Sequence, residues 1–309
     1  MIYEYAIDPE VILKWAGNTR DYAEGIREYG LGTPRILSSF PKQKARKLRS
    51  YLLQAAPLDD QSLHSQRYVE LVNALTETSV NRPVLNTGGS DWITNLVLMR
   101  EAGPAFDLVI TEDNERIPGA LKPSGLYSND SLWNHPKQEC MERTIEDLNR
   151  VIGNFLKYSS DQVFVVDPYA WNDRSILVIQ NIIEKLQHRI NSQDPMIVSV
   201  FYKQKHNKDN PNSEAVLEKI LRDIPNLSCS LKVCVKELDT SENLDIFHNR
   251  YLLTPLGGVI LGSGVDVSED PNHTDDAILM DKFLFARRWN QYVTDLQLVV
   301  ISSKSNGDD

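Results

Sequence analysis

Up to about residue 135 the apolar positions recur at the three-to-four spacing of amphipathic helices, and beyond it short aliphatic runs alternate with helical patterns. The stretch "DPEVILKWAGNTRDYAEGIREYG" (8–30) reads as one helix opened by Asp8 and closed by Gly30. Three further helices are predicted by "FPKQKARKLRSYLLQAA", "SQRYVELVNALTETSV" and "SDWITNLVLMREAG", and a short strand by "FDLVIT". Residues 111–138 are rich in turn formers and predict a long surface connection.

The second half has a different texture. "MERTIEDLNRVIGNFLKYS", "RSILVIQNIIEKLQHRI" and "SEAVLEKILRDI" predict helices, the last with a Ser cap. Between them, "QVFVVDPYAW", "MIVSVFY" and "CSLKVCVKEL" predict strands. "DIFHNRYLLT" and "GVILGSG" read as a hairpin around "PLGG". "DDAILMDKFLFARRWNQYV" predicts a closing helix, "DLQLVVIS" a last strand, and residues 304–309 a frayed tail. The expected fold class is therefore α/β: a mainly helical N-terminal domain over 1–135 and a mixed-sheet α/β domain over 136–303.

A chain of 309 residues with 41% hydrophobic and 25% charged residues has the composition of an ordinary globular protein. No apolar run approaches the roughly 20 residues of a membrane span, and the N-terminus lacks a basic-then-apolar export pattern. Cys140, Cys229 and Cys234 fit neither a disulfide framework nor a zinc site, and reduced thiols suit a cytoplasmic setting. A net charge of −10 excludes a general nucleic-acid coat but not a local phosphate site.

The candidate chemistry lies in "HNRYLLTPLGGVILGSGVD", His248 to Asp266. In an extended strand His248 and Arg250 share a face, and Ser263 ends the partner strand opposite them. The Arg can neutralise two phosphate oxygens in fork geometry, the Ser can donate a hydrogen bond, and the His can attack or shuttle protons. Asp167 and Tyr169 follow a strand whose carboxyl end is where α/β sheets place ligands, so both are expected in the same cleft.

This spacing resembles that of the phospholipase D superfamily, H-x-K-x4-D-x6-G-S. His248 takes the histidine place, Arg250 the lysine place, Pro255 the aspartate place and Gly262-Ser263 the G-S place. The stretch is also similar to divergent bacterial members with an "HNRYxLTDxGG" pattern and to MIT C-terminal domains, which retain an Asp like Asp266. The resemblance covers roughly residues 140–301. It implies a phospholipase D-like fold, phosphodiester (nucleic-acid) recognition and a metal-independent reaction without cofactor. It also implies two half-sites, hence a homodimer or a larger complex, and a context of antiviral defence. Arg250 keeps the charge but is not a neutral exchange for lysine, and the Pro255 side chain cannot orient an imidazole. Asp266 is the remaining candidate for that role. A non-catalytic adaptor binding a partner protein, and a phosphoinositide or membrane-surface binder, stand as alternatives; the acidic charge weakens the latter.

Other groups weigh less. "PKQKARKLR" puts Lys42, Arg46 and Arg49 on one helical face; with Lys44 and Lys47 they form a candidate nucleic-acid contact or a solvated face. "NTGGSDW" suits a simple Ser or Asp cap better than an anion loop. His135 lies in a turn-rich segment with no following G-S and reads poorly as a second half-site. His273, Asp275 and Asp276 read as a loop ending in helix-capping Asp residues rather than a metal site. Arg287 and Arg288 either reach the cleft or face water.

Overall fold

The computed structural model describes the chain except residues 55–61, 84–87, 125–133, 204–210, 240–247, 271, 297 and 308–309. Backbone contacts divide it into two compact units, Met1–Pro136 and Lys137–Asp309.

The first unit runs β1 (Tyr3–Ile7), α1 (Pro9–Gly17), α2 (Thr19–Glu28), β2 (Arg35–Ser38), α3 (Ala45–Gln54), α4 (Leu63–Glu77), β3 (Ser79–Val80), α5 (Trp92–Ala102) and β4 (Leu108–Ile110). The helical description of this region needs correction, because the strands form an all-parallel sheet in the order β3-β2-β1-β4. Three features hide the sheet. β3 has two residues and β2 four, and β1 carries Glu4 in the middle of its buried run. Glu4 is fully buried because Arg82 meets it with Nε at 2.6 Å from Oε1, while the same guanidinium donates to the carbonyls of Pro104 and Ala105.

Helices cover both faces of this sheet. Tyr5, Ile7, Leu37 and Ile110 pack with Val11, Trp15, Leu48, Leu71 and Leu75 from α1, α3 and α4. Ala6 and Val109 pack on the other face with Trp92, Ile93, Leu96 and Met99 of α5. The single helix expected over 8–30 is two, because Asn18 closes α1 and its Oδ1 accepts from the N–H groups of Arg20 and Asp21 to open α2.

The second unit runs β5 (Gln138–Glu142), α6 (Ile145–Tyr158), β6 (Gln162–Val166), α7 (Asp173–Gln187), β7 (Met196–Lys203), α8 (Ser213–Arg222), β8 (Leu231–Asp239), β9 (Tyr251–Thr254), β10 (Gly257–Leu261), β11 (Thr274–Leu279), α9 (Lys282–Trp289), a π turn over Asn290–Thr294, and β12 (Val299–Ser305). Its eight strands lie in the order β12-β8-β7-β6-β9-β10-β11-β5. β6, β7 and β8 are parallel; β9 joins β6 antiparallel and starts the meander β9-β10-β11-β5. The mixed-sheet α/β class is the one observed. β6 is buried from Val163 to Val166, which explains why it reads as a continuous apolar run.

Several boundaries differ from the sequence reading. The closing helix is a strand followed by a helix: Thr274–Leu279 alternates exposed and inward positions as β11, and Asp281 caps α9 by accepting from the N–H groups of Phe283 and Leu284. The tail is not frayed through residue 306. Lys304 and Ser305 pair with Val235 and Cys234, and Asn306 bonds Val233 and Leu231. Asp308 and Asp309 lie outside the described residues. α8 is capped by Asn212 rather than by a serine. No helix among the described residues is long and apolar enough to cross a membrane.

Candidate phosphodiester-binding site

β9 starts at Tyr251, so His248 and Arg250 precede the strand and the alternation expected of an extended strand does not reach them. The first residues of the expected strand, 240–247, lie outside the described residues. The hairpin turns tightly, with Thr254 opposite Gly257 and only Pro255 and Leu256 between them. At the other end of the ladder the Leu261 N–H donates to the Arg250 carbonyl at 3.0 Å, so Arg250 stands opposite the segment Gly262-Ser263-Gly264.

Arg250 makes three contacts there, from two loops. Its Nη1 donates to the Gly262 carbonyl at 2.9 Å, its Nε lies 3.9 Å from Asp167 Oδ1, and its guanidinium carbon stands 5.7 Å from the Tyr169 ring centroid. Asp167 is 1% exposed at the end of β6, where Oδ1 accepts from the Tyr169 N–H and Oδ2 from the Val265 N–H, both at 2.7 Å. Burial pushes its carboxyl up from the usual carboxylate range, against the pull of those two N–H groups and of Arg250. Asp167 thus closes the β6 end onto the loop after β10 and places Arg250 between them.

The glycines of this loop have specific reasons. Gly264 has φ +134°, and a Cβ there would stand 3.2 Å from Asp167 Oδ2 and 3.3 Å from Arg250 Nε. A Cβ on Gly262 would lie 2.7 Å from Asp275 Oδ1. That oxygen accepts from the N–H groups of Ser263 and Asp276, both at 2.8 Å, so the G-S turn is pinned by a 7%-exposed carboxylate from β11. The Ser263 backbone donor is consumed, and the hydroxyl is what Ser263 can offer a ligand.

The remaining sequence-predicted residues fall in different places. His248 is exposed, and no hydrogen bond or ion pair among the described residues fixes its ring. Asp266 pairs with Arg143, each side chain being about one-fifth exposed or less (20% and 17%), so its carboxylate is neutralised rather than aimed at an imidazole. Pro255 lies beyond the far end of β9, five residues and roughly 16 Å from Arg250 at ~3.3 Å per strand residue. An acid in that position would not reach a ring at His248, so the proline does not bear on the site in the way the motif comparison suggests. Tyr169 is half exposed and forms an open wall beside Arg250.

Outside the site, His273 bonds Ser268 Oγ through Nδ1 at 2.8 Å and pairs with Asp270. No group of three or more His, Cys, Asp or Glu among the described residues is arranged to hold a metal. Arg288 stands 5.3 Å from the Tyr251 ring centroid and donates to Gln291, while Arg287 is exposed. In the first unit, His135 stacks on Tyr3 at 3.9 Å and its Nε2 lies 2.8 Å from the Tyr5 hydroxyl; burial pulls its pKa down to about 4. Lys42 and Lys44 precede α3 rather than sitting on it, and Arg49 Nε donates to Asn73 Oδ1. Asp91 caps α5 in "NTGGSDW" by accepting from the Thr94 N–H; Asn86 and Thr87 lie outside the described residues.

Two site residues carry no mark in the motif spacing. Arg143 follows an edge strand that reads as the start of a helix. Asp275 could have been found from the alternation of "TDDAIL", which places it inward.

No protein-family model matches the chain, and no curated protein matches it in sequence. Solved structures similar to it in part include TrmBL2, an archaeal chromatin protein with a novel mode of DNA binding (12% identity, TM-score 0.29, 56% of this chain and 57% of that one). They also include the phosphatidylserine synthase of Haemophilus influenzae (14%, TM-score 0.32, 52% and 38%) and the phospholipase D family member Nuc of Salmonella typhimurium (8%, TM-score 0.31, 54% and 98%). The chain thus matches little more than half of the first of these and less than half of the second. At these identities and TM-scores no activity passes from them to this chain.

Proposed function

We propose that the second unit is a divergent phospholipase D-like module that recognises phosphodiesters, nucleic acid above all, and that one chain alone binds them rather than cleaving them. The observation that carries this reading is the mounting of Arg250. Its Nη1 donates to the Gly262 carbonyl and its Nε lies within ion-pair distance of the buried Asp167, beside half-exposed Tyr169 and the turn that carries Ser263. A fixed fork next to an aromatic wall suits a phosphate oxygen pair with a base or sugar beside it. Cleavage needs more. The nucleophilic route requires an oriented imidazole and a second group to protonate the leaving oxygen, help typically worth ~10²–10⁴-fold. The nearby acids Asp167, Asp266 and Asp275 are engaged elsewhere.

The test compares wild type, Arg250→Ala and His248→Ala for binding a labelled single-stranded oligonucleotide and for cutting it. Hydrogen bonds to a charged group are worth ~1.5–3 kcal/mol, so Arg250→Ala should weaken binding about tenfold or more. His248→Ala should still bind. Unchanged binding in Arg250→Ala, or robust metal-independent cleavage by a monomer that His248→Ala abolishes, overturns the reading.

A second reading, an adaptor that binds another protein chain, rests on β12. This strand ends the sheet among the described strands and exposes Val299, Val300 and Ile301 in succession.

A further inference from the structure

The first unit is an open parallel α/β sheet with a switch point of its own. Its parallel sheet has the order β3-β2-β1-β4: the chain winds outward from β1 to β3 on one face, then returns along the other face through α5 to place β4 beside β1. The order reverses between β1 and β4, and open α/β sheets bind ligands beyond the carboxyl ends of their strands at such a point. β1 ends at Ile7 and β4 at Ile110, so the crevice opens on Asp8 and Thr111. These two are joined by a 2.8 Å hydrogen bond from Thr111 Oγ1 to Asp8 Oδ2.

A hollow of about 360 Å³ occupies this place, walled by Asp8, Tyr51, Asp91, Trp92, Asp113 and Arg116. Next to it a more open hollow of about 490 Å³ is lined by Lys42, Arg46, Lys47, Ser50, Tyr51 and Gln54. Both volumes fall within the ~300–1,000 Å³ of small-molecule sites. Tyr51 is the wall they share. Lys42 Nζ stands 4.7 Å from its ring centroid, and burial together with Asp8 and Asp91 pushes its hydroxyl's pKa up.

The charges are unevenly divided across that wall. On one side, Lys42, Arg46 and Lys47 have no ion pair among the described residues, in a chain with 43 acidic residues against 33 basic ones. On the other side carboxylates outnumber the one arginine: Arg116 pairs with Asp91 and Asp113, Glu112 pairs with Lys14, and Asp8, without an ion pair among the described residues, is left to accept from hydroxyl or amino groups. Trp92 is only 6% exposed, and its Nε1–H finds no acceptor among the described residues.

We propose that the carboxyl edge of this sheet binds a nucleotide, with the phosphates on Lys42, Arg46 and Lys47 and the sugar hydroxyls donating to Asp8 at the switch point. A phosphate alone would leave the acidic hollow unused. An uncharged sugar or nucleoside would leave the cations unused. The ligand that uses both joins an anionic end to a donor-rich end across the width of one tyrosine ring.

The test is calorimetric titration of the full chain with ADP, with inorganic phosphate and with a single-stranded oligonucleotide. Two variants leave the fold alone. Arg46→Glu with Lys47→Glu changes two exposed side chains, and Asp8→Asn keeps a good helix-capping residue at the start of α1. ADP should bind; the double charge reversal should weaken it at least tenfold, and Asp8→Asn should weaken ADP severalfold while leaving phosphate unchanged. Arg250→Ala should leave ADP binding intact, which separates this site from the phosphodiester site. Three results overturn the proposal: no ADP binding, ADP bound no better than phosphate and indifferent to Asp8→Asn, or an oligonucleotide bound on the basic shelf in place of ADP.

Discussion

Asp167 holds three groups at once, the N–H groups of Tyr169 and Val265 and the guanidinium of Arg250, and its burial makes each of them dependent on it. Asp167→Ala leaves two interior donors unmet, at about 1–3 kcal/mol each, and frees Arg250 from its mounting. Urea unfolding of the second unit should show a loss of that size, and Arg250 should lose its contribution to oligonucleotide binding in the same variant. Asp167→Asn keeps one acceptor oxygen and should fall between. In the first unit, His135 is the titrating residue to watch. Its folded pKa is pulled from 6.5 down to about 4, so between those values the unfolded chain binds more protons than the folded one. Stability is therefore full above pH 6.5 and declines as the pH falls toward 4. Melting temperatures from pH 7 to 4 should show this slope in wild type and a shallower one in His135→Gln; equal slopes would remove His135 as the cause.

Elements were legible in the sequence where one physical cause dominated. The strands β6, β7 and β8 are buried on both faces or alternate strictly, and α6 and α7 carry clear helical periodicity, so pattern alone located them. The strands of the first unit were hidden because tertiary contacts override the local pattern. Glu4 reads as a surface residue until Arg82, 78 positions away, neutralises it, and β3 is too short to show a period at all. β11 was absorbed into a helix because "AILM" suits either state. Of the candidate site, Arg250 and Asp167 do meet, while no contact among the described residues joins His248 to them, and the contacts themselves were not legible. Which acid pairs with which base depends on loops: Arg143 takes Asp266, and Asp275 takes the Ser263 N–H. The break at Asn18 gives the element-scale prediction. Its Oδ1 satisfies two N–H groups at the start of α2, so Asn18→Ala should cost about 0.5–2 kcal/mol and Asn18→Asp very little, measured by thermal unfolding.

At the scale of the whole molecule, the question is which edge of the eight-stranded sheet a second copy would use. β12 offers an unpaired edge among the described strands, with Val299 67% and Ile301 43% exposed. A bulge between Val300 and Ser302 and the charge of Lys304 guard its second half, while the apolar first half has no such device. Pairing of two β12 strands would extend the sheet and cover that half. It would not, however, make a phospholipase D-like pair of half-sites. Four strand steps separate β12 from β9 in each copy, so two Arg250 sites would stand nine spacings of ~4.8 Å apart, about 43 Å before twist. Such a dimer would hold two separate Arg250 sites and would not bring two histidines to one phosphorus. The expected outcome is a light-scattering mass of a dimer for wild type, a monomer for Val299→Lys with Ile301→Lys, and tighter binding of long oligonucleotides than short ones only in the dimer. A wild type that is monomeric at micromolar concentration, or a dimer that survives both lysines, rules out β12 as the edge. A dimer that survives them and also cleaves nucleic acid would place the interface at His248 instead.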